Sequence, residues 1–360
     1  MWGAEAGQRC GSAVALGDLD GDGRDELIVG CPRAGAAGRV YVVAGAASPG
    51  ATIDLAVSSA SASIEGTLAG GELGAALATG AANQDAMDDL LVGAPYASPA
   101  NRSGAGAAYL ILGRAPFGDI PSVGQAAALT ALGAAANDNL GSAVALGDLE
   151  GDNRGDLVLG APGTSPAGLT GAGAAYALLL PQNLPATVDL ATASAAIILA
   201  GLESYDKLGT VVGVADLDSD GRLDMLAGAP NGDPPGRPQA GVLWAVSGTR
   251  AAAGRAATVI TAPDLIVYGA SSSDRAASSL AVGDFNADGK RDLVVGAPRS
   301  DTALGLDAGS AYVVPGPFTL LPQSTPTPTA TPRRHYLPLL IRQNAISLAP
   351  VVSGGTYDAP

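Results

Sequence analysis

The chain is short of several residue types on which common activities depend. Of its 360 residues, 19 are lysine or arginine and only one, His335, is a histidine. So few positive charges, set against 34 acidic residues, argue against a nucleic-acid partner, because phosphate backbones reward basic surfaces. A single histidine beside a Thr/Pro tract excludes a Ser/His/Asp triad in the rest of the chain. The sequence also lacks a phosphate-binding glycine loop with its lysine, and we expect no enzymatic activity.

Aromatic side chains and long apolar runs are scarce as well. Phe, Trp and Tyr together make up 4% of the chain, so the core must be built from Val, Leu, Ile and Ala between closely packed sheets. No apolar run approaches the roughly 18 residues that a membrane-spanning helix needs, so we expect no transmembrane span. Cysteine is limited to Cys10 and Cys31, whose spacing does not fit a zinc site.

What the chain has in quantity is acidic side chains, which give a net charge of −15. Many of them recur in a nine-residue loop that carries oxygen side chains at positions 1, 3, 5 and 9. A hard cation such as Ca²⁺ takes about six to eight oxygen ligands, and position 7 can add its backbone carbonyl. The predicted ligands are Asp18, Asp20, Asp22, Arg24 (backbone) and Glu26; Asp148, Glu150, Asp152, Arg154 (backbone) and Asp156; Asp216, Asp218, Asp220, Arg222 (backbone) and Asp224; and Asp284, Asn286, Asp288, Lys290 (backbone) and Asp292.

The loops differ in quality. The first, fourth and fifth have glycine at position 6, where a sharp turn favours a residue that tolerates positive φ. The third has Asn153 there, and its Glu150 is one methylene longer than aspartate, which predicts weaker binding. The second begins with Ala81 and has Ala86 at position 6, so we predict that it is empty or very weak. About four Ca²⁺ are therefore expected per chain.

The loops also mark a repeat. Their first positions are 63, 67, 68 and 68 residues apart, and fixed self-similarity on this scale is typical of propellers and solenoids. A strand of small residues precedes each loop, and an apolar run that ends in Gly-x-Pro follows it. A weaker fourth strand closes the repeat, and four short strands make one propeller blade. The third strand is marked by an aromatic residue, at Tyr41, Tyr109, Tyr176, Trp244 and Tyr312.

This pattern resembles the FG-GAP repeat of integrin α-subunit propellers and of secreted bacterial surface proteins. The resemblance covers roughly residues 3–316 and implies an all-β propeller of four-stranded antiparallel blades. Integrin-type propellers have seven blades, whereas five repeats are visible here; either five blades close into a ring, or the chain is part of a seven-bladed one. The motif is literal as Gly-Ala-Pro at 93–95, 160–162, 228–230 and 296–298, and it survives as Leu-Gly at 73–74, 140–141 and 208–209.

The repeat divides the chain into regions. The propeller is predicted over 1–322, with repeats near 1–66, 67–133, 134–201, 202–269 and 270–322. The last repeat lacks a fourth strand unless residues 318–321 supply it. A Thr/Pro-rich linker follows at 323–333, and 334–360 form a tail that is either disordered or used for cell-surface attachment. No signal peptide precedes the first repeat, yet the loops and the stalk-like linker indicate export. We expect an extracellular or cell-surface protein whose sequence is truncated at the N-terminus or begins at a start codon assigned too late.

The two cysteines lie in the first repeat, near the open ends of two strands that are joined by a candidate calcium loop. Two interpretations remain open. Cys10 and Cys31 either form a disulfide across that hairpin, which an extracellular setting permits, or remain two small buried thiols.

The resemblance implies a binding or adhesion module at the cell surface. Its calcium ions would be structural, and its ligand an extracellular protein or carbohydrate. Two alternatives are a non-catalytic scaffold domain of a secreted hydrolase and a structural surface-layer component. The Arg154-Gly155-Asp156 tripeptide is not interpreted as an adhesion signal, because Asp156 is position 9 of a loop and should point inward.

Overall fold

The computed structural model describes residues 3, 5–45, 54–55, 60–193, 195, 197–253, 258–302 and 305–320. The predicted linker at 323–333 and tail at 334–360 lie outside the described residues, as does Leu321 at the end of the candidate fourth strand of the last repeat. The proposed boundaries of these regions stay predictions.

Short strands rich in small and β-branched residues dominate the described chain, and they form five sheets, one for each repeat. We call these sheets blades 1 to 5. Blade 1 contains β1 (Ala13–Gly17), β2 (Glu26–Cys31), β3 (Arg39–Val43) and β4 (Ala62–Glu65). Blade 2 contains β5 (Ala76–Gly80), β6 (Asp89–Ala94), β7 (Ala107–Ile111) and β8 (Leu129–Leu132), with helix α1 (Val123–Ala126) before its last strand.

The remaining blades follow the same order. Blade 3 contains β9 (Ala143–Gly147), β10 (Asp156–Ala161) and β11 (Ala174–Leu178); β12 (Thr187–Asp189) comes next in the chain, and β13 (Ile197–Ala200) completes the blade. Blade 4 contains β14 (Val211–Ala215), β15 (Asp224–Ala229) and β16 (Val242–Val246); helix α2 (Gly248–Ala253) and β17 (Thr258–Ile260) precede its last strand, β18 (Leu265–Tyr268). Blade 5 contains β19 (Ser279–Gly283), β20 (Asp292–Ala297) and β21 (Ser310–Val314).

Consecutive strands of each blade pair antiparallel, which confirms the predicted propeller of five blades. All five marker aromatics lie in third strands. The weaker fourth strands that the sequence predicts at 62–66, 197–201 and 265–269 are β4, β13 and β18. Blade 2, whose loop is the damaged copy, is a complete four-stranded blade. No helix within the described ranges is long and apolar enough to cross a bilayer.

The hydrophobic core lies between neighbouring blades. Four clusters of buried residues each join one blade to the next, and they consist mainly of Leu, Val, Ile and Ala, as the scarcity of aromatics predicts. In blade 3, for example, Val144 and Leu159 pack toward blade 2, whereas Ala145 and Val158 pack toward blade 4. Both faces of an inner blade are therefore buried, as expected for stacked sheets.

The segment between the third and fourth strands of a blade reaches back to the preceding blade. β12 pairs in parallel with β8 of blade 2, and β17 pairs in parallel with β13 of blade 3. Ile120 makes a similar parallel bridge to Ile64 of blade 1. We call these three parallel pairings latches. They join adjacent blades through backbone hydrogen bonds in addition to side-chain packing.

Residues 318–320 do not supply a fourth strand to blade 5, so of the two possibilities left open by the sequence the described part of the last repeat shows the lack of one. Phe318 to Leu320 are not in a strand; Phe318 instead packs into the core between blades 4 and 5. Its backbone N–H donates to the carbonyl of Leu217, at 3.4 Å. Blade 5 has three strands among the described residues, and Phe318 and Leu320 pack into its core instead of forming a strand.

Candidate metal centres in the blade loops

Each nine-residue loop joins the first strand of its blade to the second. The strand register sets Gly17 opposite Glu26 and Gly147 opposite Asp156, so position 9 of the loop is the first residue of the second strand. The loops of blades 1, 2 and 3 also touch, because the N–H of position 8 in blades 2 and 3 donates to the carbonyl of position 1 in the blade before. Two such bonds are Asp88 N–H to Asp18 O, at 2.8 Å, and Gly155 N–H to Ala81 O, at 2.7 Å. The loops therefore lie side by side along one rim.

The carboxylate at position 1 organises the loop around itself. In the first loop, Asp18 Oδ1 accepts hydrogen bonds from the N–H groups of Gly21 and Asp22, and Oδ2 accepts one from Gly23 at 2.9 Å. Asp148 in the third loop accepts the equivalent three bonds. Asp216 and Asp284 each accept from positions 5 and 6 of their own loops. Position 6 has a positive φ in all four loops, at Gly23, Asn153, Gly221 and Gly289.

In the first and fourth loops, three carboxylates also converge, which is not seen among the described residues of the third and fifth loops. One carboxylate oxygen from each of Asp18, Asp20 and Asp22 lies within 4.8 Å of the other two. Asp216, Asp218 and the buried Asp224 converge in the same way. Carboxylate oxygens at this spacing are the donor set that Ca²⁺ prefers, and like charges held so close repel one another unless a cation or a proton neutralises them.

Position 9 is buried and makes the same two contacts in every blade. One oxygen accepts from the N–H of loop position 2, and the other from an N–H near the end of the third strand. For Asp156 the donors are Leu149 and Leu180, each at 2.9 Å. Asp156 is 1% exposed, so it is not available to an external partner, and the tripeptide that contains it is not an adhesion signal of that kind.

Burial changes the acidity of these carboxyls. Desolvation raises the pKa of Asp156 and of Asp224 to about 7; hydrogen bonds from the backbone oppose this, and neighbouring loop carboxylates add to it. Asp292 makes the equivalent hydrogen bonds in blade 5, yet the N–H of Gly316 holds its pKa below the ordinary value. Blade 5 has no further described blade over its outer side, so its carboxyl is less desolvated.

The second loop keeps oxygen side chains at positions 3, 5 and 9 but has lost the carboxylate at position 1 and the glycine at position 6. Asp89 accepts from Ala82 and Gly113, as its counterparts do. Ala81 provides no carboxylate at position 1, and neither position 4 nor position 6 of this loop has a positive φ. Asn83 donates its side-chain amide to Asp85 at 2.8 Å, and Asn286 makes the same contact to Asp288 in the fifth loop, so the loss of position 1 is what sets the second loop apart.

Three buried aspartates near the opposite ends of the blades were missed by the sequence analysis. Asp138, Asp206 and Asp274 each lie just before the first strand of a blade and accept a hydrogen bond from the N–H three residues earlier. Desolvation raises the pKa of all three, that of Asp206 to about 7. They are 68 residues apart, which is the period of the repeat, and this spacing could have identified them from the sequence.

The two cysteines are bonded. A disulfide joins Cys10 to Cys31 across 21 residues of sequence, so of the two interpretations left open above, the structure has the disulfide. It sits beside a small apolar cluster on blade 1 that includes Val29, Tyr41 and Leu55.

Comparison with known protein families finds one whose model matches four segments of the chain. The model of the FG-GAP repeat matches residues 11–43, 140–178, 208–246 and 276–314. These segments run from two or three residues before the first strand to the end of the third strand in blades 1, 3, 4 and 5. The repeat that the model does not match is blade 2, whose loop is the damaged copy.

Two kinds of curated protein are similar over part of the chain. Phosphatidylinositol-glycan-specific phospholipase D of Bos taurus is 29% identical over 62% of this chain and 26% of its own length. The Mus musculus protein of the same name is 38% identical over 31% of this chain and 13% of its own length. Integrin alpha-IIb of Homo sapiens is 34% identical over 28% of this chain and 10% of its own length. In these comparisons the chain spans about a quarter or less of the length of each relative.

Proposed function

Since this chain is an FG-GAP repeat protein with an integrin-alpha-like β-propeller, we propose that it is a calcium-stabilised extracellular binding module. Four loops, those of blades 1, 3, 4 and 5, each hold one Ca²⁺, and the loop of blade 2 holds none. The observation that carries the proposal is the convergence of Asp18, Asp20 and Asp22 within 4.8 Å. Three carboxylates in that space fit a hard divalent cation.

The calcium ions are structural in this proposal. Each loop connects the first two strands of a blade, and the loops of blades 1 to 4 contact the loop of a neighbouring blade, as in the bond from Asp88 N–H to Asp18 O. An ion bound there holds the hairpin closed and offsets the repulsion of its carboxylates. Binding to the folded chain alone raises the free energy of unfolding by mass action.

The setting is outside the cell or at its surface. The disulfide between Cys10 and Cys31 supports this, because such bonds persist in oxidising compartments. Extracellular modules often bind calcium with Kd of roughly 10⁻⁴ to 10⁻³ M, a range in which the sites fill outside cells and empty in the cytosol. The ligand class proposed is an extracellular protein or a carbohydrate, and the activity is adhesion without catalysis.

A second function is favoured by the phospholipase D relatives. Their similarity spans a small part of each enzyme, which suits a propeller appended to a separate catalytic domain. The proposal in this form is a non-catalytic scaffold domain of a secreted hydrolase. Its calcium sites are the same, and the two forms differ in what the propeller is attached to or contacts.

Calorimetric titration of the calcium-free full chain tests the metal sites. We expect about four ions per chain, and a higher melting temperature in calcium than in chelator. Asp20→Asn should remove about one ion, because it takes a carboxylate from a converging group. Asp85→Asn, at position 5 of the second loop, removes a carboxylate from the loop predicted to be empty; it is the control and should leave the count unchanged. Absence of binding, or equal loss in both variants, contradicts the proposal.

A further inference from the structure

Blade 1 exposes an apolar face that the inner blades bury. Val14 and Leu16 of β1 are 63% and 60% exposed. Their equivalents in blade 3, Val144 and Leu146, are 8% and 7% exposed because they pack against blade 2. The positions in the repeat are the same, so the exposure of Val14 and Leu16 comes from the lack of a described blade on that side.

Blade 5 shows the complementary feature at the other end. Phe285 occupies position 2 of its loop and is 63% exposed. In the other four blades the residue at this position is at most 2% exposed, because it packs against the first strand of the next blade. Those four residues are Leu19, Ala82, Leu149 and Leu217.

The surroundings of Phe285 are open as well. A Cβ added to Gly283 would meet no atom within 4 Å, whereas one added to Gly17 or Gly147 would meet side chains of the following blade. Ala281 and Ala311 lie on the same side of the sheet and are exposed. We call Ala281, Phe285 and Ala311 the back face of blade 5, and Val14 and Leu16 the front face of blade 1.

We propose that the back face of blade 5 binds the front face of blade 1 of a second copy of this chain. The two faces are the halves of an interface that the chain already builds four times between its own blades. Within the chain, Leu149 of blade 3 lies in the same core cluster as Val212 and Val214 of the first strand of blade 4. Phe285 would take the place of Leu149 against a partner copy, with Val14 and Leu16 in the place of the two valines.

The interface is confined to the inner part of blade 1. Leu55 already packs beside Val29 and Tyr41, which are 1% and 6% exposed. The open surface is therefore β1, the strand that loop position 2 of a preceding blade would contact. Because each copy offers one front face and one back face, the contact is heterologous, and it either closes into a ring of copies or continues as a chain.

Sedimentation velocity of the full chain in calcium, over a wide range of protein concentration, tests this. We expect the wild type to associate as its concentration rises. Phe285→Asp, and separately the double variant Val14→Asp with Leu16→Asp, should each remain monomeric, because a charge in an apolar interface is costly to bury. Tyr205→Asp, at a residue 61% exposed on neither face, is the matched control and should associate like the wild type.

A mixture gives the decisive result. The Phe285→Asp chain keeps its front face, and the double variant keeps its back face, so together they should form a dimer of one copy each that does not extend further. Thermal melts confirm that both variants are folded. A wild type that stays monomeric, or a mixture that does not pair, overturns the proposal and favours further blades of a longer chain as the cover of these faces.

Discussion

The carbonyl oxygen of Gly209 lies directly against the α carbon of Gly160, where a Cβ would collide with it. Gly160 is the glycine of a Gly-Ala-Pro run in blade 3, and Gly209 is the glycine of a Leu-Gly pair in blade 4. The same contact joins Gly30 to Gly74 and Gly93 to Gly141. The two halves of the repeat motif are therefore the two sides of one close approach between blades.

Gly160→Ala should destabilise the chain by roughly 1 to 3 kcal/mol, because the added methyl group forces two backbones apart. Gly296→Ala in blade 5 is the matched control. Its Cβ would meet the side-chain oxygen of Ser279, which can rotate, and no atom of another blade. Denaturant unfolding of dilute chains measures both, and equal losses would show that the contact between blades is not the cause.

Much of the fold could be predicted because most of its elements recur in all five repeats. Strand positions, the place of the loops and the marker aromatics all follow from the repeat, so a weak signal in one copy is supported by the others. The parallel latches could not be predicted. Thr187 pairs with Thr130 of the preceding blade, and nothing local to either residue indicates a partner 57 positions away.

The candidate site was predictable in part. The turn that gathers Asp18, Asp20 and Asp22 follows from their spacing and from the glycine at position 6. The pair of hydrogen bonds that position 9 accepts could not be predicted from the sequence. One of them comes from an N–H near the end of the third strand, and it depends on how the strands are arranged in the blade. This pair of hydrogen bonds explains why the second loop keeps Asp89 after losing position 1.

Asp89→Asn should destabilise the chain by about 1 to 3 kcal/mol even without calcium, because the new amide nitrogen would face a buried backbone N–H that it cannot satisfy. Asp85→Asn, on the exposed part of the same loop, should change stability by less than about 0.5 kcal/mol. Denaturant unfolding in chelator separates them. If both substitutions were neutral, position 9 would have no structural role independent of metal.

Calcium-free protein should lose stability as the pH rises from about 4 to about 7. Burial raises the pKa of Asp206 to about 7, well above its ordinary value of 3.8. The folded chain therefore holds a proton that the unfolded chain has released in this range, and stability falls as that proton is lost. Asp156 and Asp224 act in the same direction.

Thermal melts of metal-free protein across this range measure the effect. Asp206→Asn should flatten the pH dependence, because the amide accepts the hydrogen bond from the N–H of Glu203 without titrating. In saturating calcium we expect the opposite trend, because ligand carboxylates must lose their protons to bind the ion. A metal-free chain whose stability rises with pH over this range would contradict the assignment.

The third loop should bind calcium more weakly than the first, and a single methylene should account for much of the difference. Glu150 stands where the first loop has Asp20, so its carboxylate must fold back to reach the centre that the shorter side chain faces directly. Glu150→Asp should tighten binding at the third loop several-fold, and the reciprocal Asp20→Glu should weaken binding at the first by a similar factor, since calcium affinity depends on how well the ligands fit the ion. Competition titration against a calcium indicator measures both, and reciprocal changes of opposite sign are the expected result. Affinities that do not respond to either exchange would show that position 3 does not ligate the ion.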